Sequence, residues 1–468
     1  MVRKNKLKEV SLTAGAMYQT IGKLLTNGIA FLTAPIFTRI LSSGDYGKVS
    51  VYSAWCTLFS FIVGLQVDGT IANAKIRYPE EELPSYLSSV MTIAVFSFAT
   101  IFSFALLLNN FLAEFINIRK DLIFFLVVQS FASFCVKFYD SILIQFKRTD
   151  KSMYFMAFIF VLDTVLALLF LSIFTCEKYI SKIYGEGLPL TIIGCFLCIY
   201  ILIKGKVFYR SEYWNFCLPI SLPLILHSTG HLILWQSDRI MIQKLIGESE
   251  TGIYSIAVLT ASVLITIFLA FNNAWVPYYY EYKKRNDIES IILHSKNYML
   301  NISAMHVVFF FVVPELFKIL APYSYWDLGL KVIPILVMTS YFRYLYLFPV
   351  NHEIYNRNTN IVAIGTFLAA IFNIFLNFFF IKIFYTIGAA YATCISSLFL
   401  FLFHLLIANN FVRNFEYPIS LFFKGFVPVL IAFFLYFPMA NIFVVRWIIA
   451  CLISAFFVLR FLKIKTLF

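Results

Sequence analysis

The sequence predicts an all-α polytopic membrane protein. About fourteen transmembrane helices are expected, as two six-helix bundles related by a pseudo-two-fold axis along the membrane normal, plus two C-terminal helices. Three observations predict it. Of 468 residues, 61% are hydrophobic and 13% charged, against roughly 25% charged in a soluble domain. Apolar runs such as 86–108, 153–174, 361–381 and 391–408 match the about 20 residues a helix needs to cross a hydrocarbon core of roughly 30 Å. The linkers between runs are short, so no soluble domain is expected. The runs do not alternate in polarity, which excludes barrel strands.

The first span, 12–40, follows a basic run of Arg3, Lys4, Lys6 and Lys8. It carries Gln19, Lys23, Thr26, Asn27 and Thr33, which fall in one stripe at 100° per residue. A cleaved signal would be apolar there. The second span, 48–74, places Ser53, Thr57, Ser60, Gly64 and Asp68 in another narrow stripe that continues to Lys75. Two neighbouring polar faces suggest a water-filled groove. Lys23, Arg39, Lys75 and Arg77 then attract an anionic head group. Alternatively, Lys23 bridges to Asp68, and the other three snorkel to lipid headgroups from the span ends.

The third span, 86–108, is apolar. The fourth, 122–146, holds Lys137 and Asp140, an i,i+3 pair able to neutralise itself, with Gln129 and Ser133 near the same face. The fifth, 152–175, holds Asp163 among apolar residues. It is either a proton or cation carrier or an interhelical hydrogen-bonding group. The sixth, 188–204, contains Cys195 and Cys198, but a zinc site needs further ligands and none is evident.

The seventh span, 216–240, sets His227, His231 and Asp238 along one stripe. The glutamate of an HExxH site is missing, since Ser228 follows His227. A polar face is expected, not a metal. Spans 251–280 and 296–320 follow. Span 329–355 carries Arg343 near its middle, where it must find an anion or a cage of carbonyls, and His352 and Glu353 near its end, as candidates for a gate. Charges so deep cost about 2.5–3.5 kcal/mol on insertion scales. Spans 361–381, 388–408, 419–438 and 441–461 complete the set. Domains are expected at 1–210, 211–410 and 411–468.

Lys and Arg number twenty in one set of alternate loops and twelve in the other. The bias places both termini in the cytoplasm. The net charge of +13 suggests nucleic acid only in a soluble protein, so no nucleic-acid partner is expected. An internal echo pairs Leu41–Ser50 with Ile246–Ser255 at an offset of 205 residues, where Asp45 meets Glu250 and Asp68 meets Asn273. Six spans separate the copies, which makes the repeat parallel.

The stretch Pro35-Ile-Phe-Thr-Arg-Ile-Leu41 followed by Tyr46-Gly47, and Trp275-Val-Pro277 before a basic loop, resemble the polysaccharide-biosynthesis flippases. These are O-antigen and capsule repeat-unit translocases of the multidrug/oligosaccharidyl-lipid/polysaccharide exporter superfamily. The resemblance covers the whole chain. It implies movement of an undecaprenyl-diphosphate-linked oligosaccharide from the cytoplasmic to the periplasmic leaflet of the bacterial inner membrane, by alternating access. It also implies H+ or Na+ as the coupling ion, no cofactor, no enzymatic activity, and contacts with other polysaccharide-assembly membrane proteins.

The cargo-binding candidates are Lys23, Asn27, Arg39, Asp68, Lys75, Arg77, Lys137, Asp140, His227, His231 and Arg343. The ion-coupling candidates are Asp163, Asp238 and Glu353. The deep cations outnumber the fixed acids expected near them, which favours an anionic cargo over cationic drugs. The alternatives are a lipid II-type or multidrug exporter of the same superfamily, and a membrane polysaccharide polymerase or ligase. Polymerases and ligases typically carry a long external loop, and no such loop exists here. No GxxxxGK[ST] sequence occurs, so ATP-driven pumping within the chain is not expected.

Overall fold

The computed structural model describes residues 12–174, 177–412, 414–440 and 442–464. Among these residues every regular element is a helix. In order they are α1 (Leu12–Ile40), α2 (Ser43–Gly64), α3 (Ile71–Arg77), α4 (Leu83–Leu107), α5 (Asn109–Ile116), α6 (Lys120–Gln145), α7 (Thr149–Ile173) and α8 (Lys178–Gly205). Then come α9 (Ser211–Leu245), α10 (Glu248–Lys284), α11 (Ile288–Leu320), α12 (Trp326–Tyr355), α13 (Thr359–Asn410), α14 (Ile419–Met439) and α15 (Phe443–Ile464).

Helices prevail because a bilayer offers no water to an unpaired backbone group, so each segment must satisfy its own. Among the described residues ten helices are long and apolar enough to cross a membrane, or eleven with the bent pair α2–α3. The 52-residue α13 is two arms, because Tyr385 breaks it with φ 53° and ψ −140°. Phe372 packs on Phe399 at 5.1 Å between ring centroids, and Asn373 donates to Thr393 at 3.3 Å. The arms therefore run antiparallel. Counting α2–α3 once, α13 twice, and the shorter apolar helices Leu24–Ile40 and Phe443–Phe457 brings the candidate spans among the described residues to fourteen, the number expected.

The second span is not the straight helix expected over 48–74. Leu65 and Gln66 both take left-handed backbone, at φ 47° and 52°. A short 3-10 turn over Val67–Thr70 follows, and the two parts bend by 52°. The start of α2 is fixed by a side-chain cap from Ser42. Asp45 donates its amide to Ser42 Oγ at 3.0 Å, and Ser42 donates its hydroxyl back to the Asp45 carboxylate at 2.7 Å.

The chain forms two compact units. One runs to Thr33 and continues over Lys48–Leu232; the other holds Ala34–Gly47 and everything from Ile233 onward. The division falls inside α1, near the start of α2 and inside α9. The first unit has aromatic cores such as Tyr78, Tyr86, Tyr213 and Phe216, packed edge to face. The second is dense in buried tyrosine, with Tyr341 and Tyr344 beside His306 and Tyr298 packed edge to face on Tyr344. Outward positions such as Phe96, Phe196, Leu406 and Phe434 are large, apolar and exposed. Patches this extensive mark contact with a nonaqueous phase, here lipid.

Candidate functional site

In the first unit the broken span builds the site. Gly64 sits just before the break because the Phe134 ring fills the space a Cβ would take. The 3-10 turn then carries Asp68 inward, where it is buried. Lys137 of α6 places Nζ 3.0 Å from Asp68 Oδ2 and 3.3 Å from Gln66 Oε1, and 4.3 Å above the Phe61 ring. A buried carboxylate demands a cation, and Lys137 meets that demand. It is not neutralised by Asp140 on its own helix; Asp140 accepts from Ser152 of α7 at 2.5 Å. The Lys137 side chain is 43% exposed, so its ammonium is held on one side and open on the other.

The other basic candidates take separate anchors. Lys75 donates to the Gln145 carbonyl at 2.7 Å, closing the C-terminus of α6, and lies 5.1 Å from the Phe146 ring. Arg77 stacks on Phe216 at 4.9 Å. Arg39, in the second unit, donates to the carbonyls of Pro35 at 2.8 Å and Ile319 at 3.2 Å. Asn27 is exposed on α1. The side chains of Lys23 and His227 lie outside the described residues. Much of the polar striping on α1 and α2 closes on its own helix: Thr33 donates to Ile29 and Ser60 to Thr57, the usual back-bonding of hydroxyls. Asp163 of α7 lies in the electrostatic neighbourhood of Lys182 and Glu186 of α8, which pair with each other one turn apart.

In the second unit Asp238 is the centre of a buried polar network. Its carboxylate accepts from Tyr254 at 2.7 Å, Asn377 at 2.7 Å and Thr393 at 2.6 Å. Asn373 accepts from Ser237 at 2.8 Å and from Asn377 at 3.0 Å. The network joins α9, α10 and both arms of α13. Asn377 Oδ1 is buried with no hydrogen-bond partner, an oxygen turned toward no donor. His231, two turns before Asp238, is exposed, so the expected stripe splits between two environments. Arg343 stacks on Trp235 at 3.7 Å and lies within electrostatic reach of Asp238.

Near the C-terminal end of α12, two consecutive residues make crossed pairs. Glu353 meets His404 at 2.7 Å, both fully buried. His352 lies 3.3 Å from Glu416, which also pairs with Lys283. Outside the spans, the Arg119 guanidinium donates to Glu177 at 2.6 Å and holds its carboxyl below the ordinary range. Among the described residues no cluster of His, Cys, Asp and Glu has the makings of a metal-ligand set.

Sequence reasoning missed Gln66, Asn373, Asn377, Thr393, His404 and Glu416. A signal existed for two of them: Asn373 and Asn377 stand four apart in an otherwise apolar run, hence on one helix face.

Charged and amide side chains buried within helical spans, beside a broken helix, are features that membrane transporters use. The chain belongs to the polysaccharide biosynthesis protein family, whose model matches residues 12–283. It is 24% identical over 375 residues to an uncharacterized membrane protein of Haemophilus influenzae, covering 77% of this chain and 88% of that one. Its fold is similar to the lipid II flippase MurJ in an inward closed conformation, with a TM-score of 0.73, 15% identity, and 97% and 100% of the two chains covered. It is also similar to an inward-facing multidrug resistance MATE family transporter of the MOP superfamily, at a TM-score of 0.57, 14% identity, and 84% and 98% coverage. The chain thus has a flippase-type transporter fold.

Proposed function

We propose that this protein flips an undecaprenyl-diphosphate-linked oligosaccharide repeat unit from the cytoplasmic to the periplasmic leaflet of the bacterial inner membrane by alternating access. In this reading 1–210 and 211–410 are the functional halves, 411–468 adds two helices, and both termini are cytoplasmic. Membership of the polysaccharide biosynthesis family supports the cargo class. The observation that carries the chemistry is Lys137, held by Asp68 yet 43% exposed inside the span. A diphosphate carries more charge than a carboxylate and competes for that ammonium.

Asp238 is the favoured coupling-ion residue. Its partners Asn377 and Thr393, with Asn373 bonded to both of them, supply neutral oxygens, and the unpartnered Asn377 Oδ1 is buried beside them. Hard oxygen donors of this kind suit a small cation. Glu353 and Asp163 each keep one buried oxygen without a hydrogen-bond partner, but neither has the set of neutral side-chain oxygens that surrounds Asp238.

The test is surface polysaccharide, measured at matched protein levels in cells whose own flippase is deleted. Lys137→Ala and Lys137→Glu are expected to lower it strongly, and Lys137→Arg to retain much of it. Full activity in all three overturns the role of Lys137. Asp238→Asn is expected to remove the dependence of transport on Na+ or on the proton gradient, whichever the native protein shows.

A further inference from the structure

A cavity of about 180 Å³ opens in the first unit where the start of α4 meets the ends of α6 and α8. Its floor is apolar, with Leu87, Leu143 and Ile201 all buried. Its wall is tyrosine: Tyr139 and Tyr200 meet edge to face at 6.4 Å. Its rim is charged, with Arg148 and Lys204 against a single acid, Glu80. Lys204 is steadied by Tyr200, 3.3 Å from its hydroxyl and 5.4 Å from its ring centroid.

Three features narrow the occupant. The rim loops, 75–82, 147–151 and 204–210, belong to the membrane face with the surplus of Lys and Arg, the face exposed to anionic lipid under the positive-inside rule. The cavity lies below the roughly 300 Å³ at which pockets enclosing a whole drug-sized ligand begin. It therefore suits a headgroup end-on and not an oligosaccharide. Beside Tyr200 and Lys204, α8 turns Phe196, Ile199 and Ile203 outward, exposed by 66%, 56% and 66%, a surface on which acyl chains can lie.

We propose that this cavity binds the phosphate headgroup of an anionic phospholipid of that leaflet, with its chains along the exposed face of α8. Arg148 grips phosphate oxygens through its planar fork, Lys204 adds a point charge, and the tyrosines anchor the glycerol level of the bilayer. The lipid is a resident of the fold and distinct from the cargo. Its binding is independent of what the protein transports.

The test is native mass spectrometry of the full chain in detergent, titrated separately with phosphatidylglycerol and phosphatidylethanolamine. Tighter retention of one phosphatidylglycerol is expected, about tenfold or more weaker in the R148A/K204A double variant. The conservative R148K/K204R variant keeps the preference. Glu80→Gln, which removes the one acid, strengthens binding and serves even if the double variant folds poorly. Equal retention of the two lipids, or a double variant that folds and binds as the native chain does, overturns the proposal. Competition by inorganic phosphate at equal concentration reassigns the cavity to a free anion and also overturns it. So does displacement of the bound lipid by undecaprenyl diphosphate, which makes the cavity a cargo site.

Discussion

Gly47 and Gly252 face each other backbone to backbone in the second unit. The space a Cβ would take at Gly47 is filled by the Glu248 carbonyl and the Gly252 amide; at Gly252 it is filled by the Ser43 carbonyl and the Gly47 amide. Ser43 and Ser249 join hydroxyls beside them at 2.5 Å. Ser43 and Glu248 stand 205 positions apart, as do Gly47 and Gly252, so the contact is reciprocal. This is the self-complementary form of a two-fold interface, made by the first turns of α2 and α10, where the two echoed segments lie. Small residues allow such close approach between membrane helices.

Substituting either glycine is therefore expected to destabilise the fold. Gly47→Ala and Gly252→Ala each push a methyl into a carbonyl that belongs to a helix and cannot rotate away. The expected loss is about 1–3 kcal/mol, read as a lower unfolding temperature in detergent. Gly28→Ala is the control, because nothing lies within 4 Å of its Cβ position. A Gly47→Ala protein as stable as the control would contradict the packing.

The Asp68–Lys137 pair is expected to show coupling in a double-mutant cycle. Lys137→Met strands a buried carboxylate, and Asp68→Asn removes the ammonium's counter-charge. The single changes are expected to cost about 1–3 kcal/mol, below the figure for a fully buried pair because Lys137 is partly open. The double variant recovers most of the loss. Additive single effects would show that the two charges do not support each other.

The Glu353–His404 pair makes a sharper case. Both residues are fully buried, so His404→Ala leaves Glu353 with no partner and is expected to cost about 3–5 kcal/mol. Glu353→Gln keeps an acceptor for the imidazole and is expected to cost less. Chemical unfolding of the purified protein separates the two, and equal losses would count against the pairing.

Tyr385 offers a gain. Its φ of 53° with ψ of −140° suits glycine and strains a side-chain-bearing residue by roughly 1–3 kcal/mol. The tyrosine is 71% exposed, so little packing is lost on removal. Tyr385→Gly is expected to raise thermal stability slightly, and a clear loss would mean the ring holds the turn.

Span number was legible because it follows from the length of apolar runs, which the bilayer thickness dictates whatever the helices pack against. The break at Leu65 and Gln66 was not, since neither residue is a helix breaker and the close seat of Gly64 against the Phe134 ring is a tertiary contact. The partner of Lys137 was not legible for a related reason: an i,i+3 neighbour is visible in one dimension, while Asp68 reaches Lys137 only through the packing of α6 against the 3-10 turn. Asp238 was singled out by its place on one stripe with His227 and His231. Its donors were not, although the four-residue spacing of Asn373 and Asn377 was open to view. Lone residues such as His404, or Glu416 in a linker, carry no periodic signal at all.

The turn at Tyr385 has a bearing on how the chain is made. With almost no polar connector between the arms of α13, the first arm has no hydrophilic loop to hold in water while the second is still in the ribosome. An antiparallel pair joined this tightly is suited to entering lipid as one hairpin, so a lengthened connector at this point bears on biogenesis as well as on the finished protein.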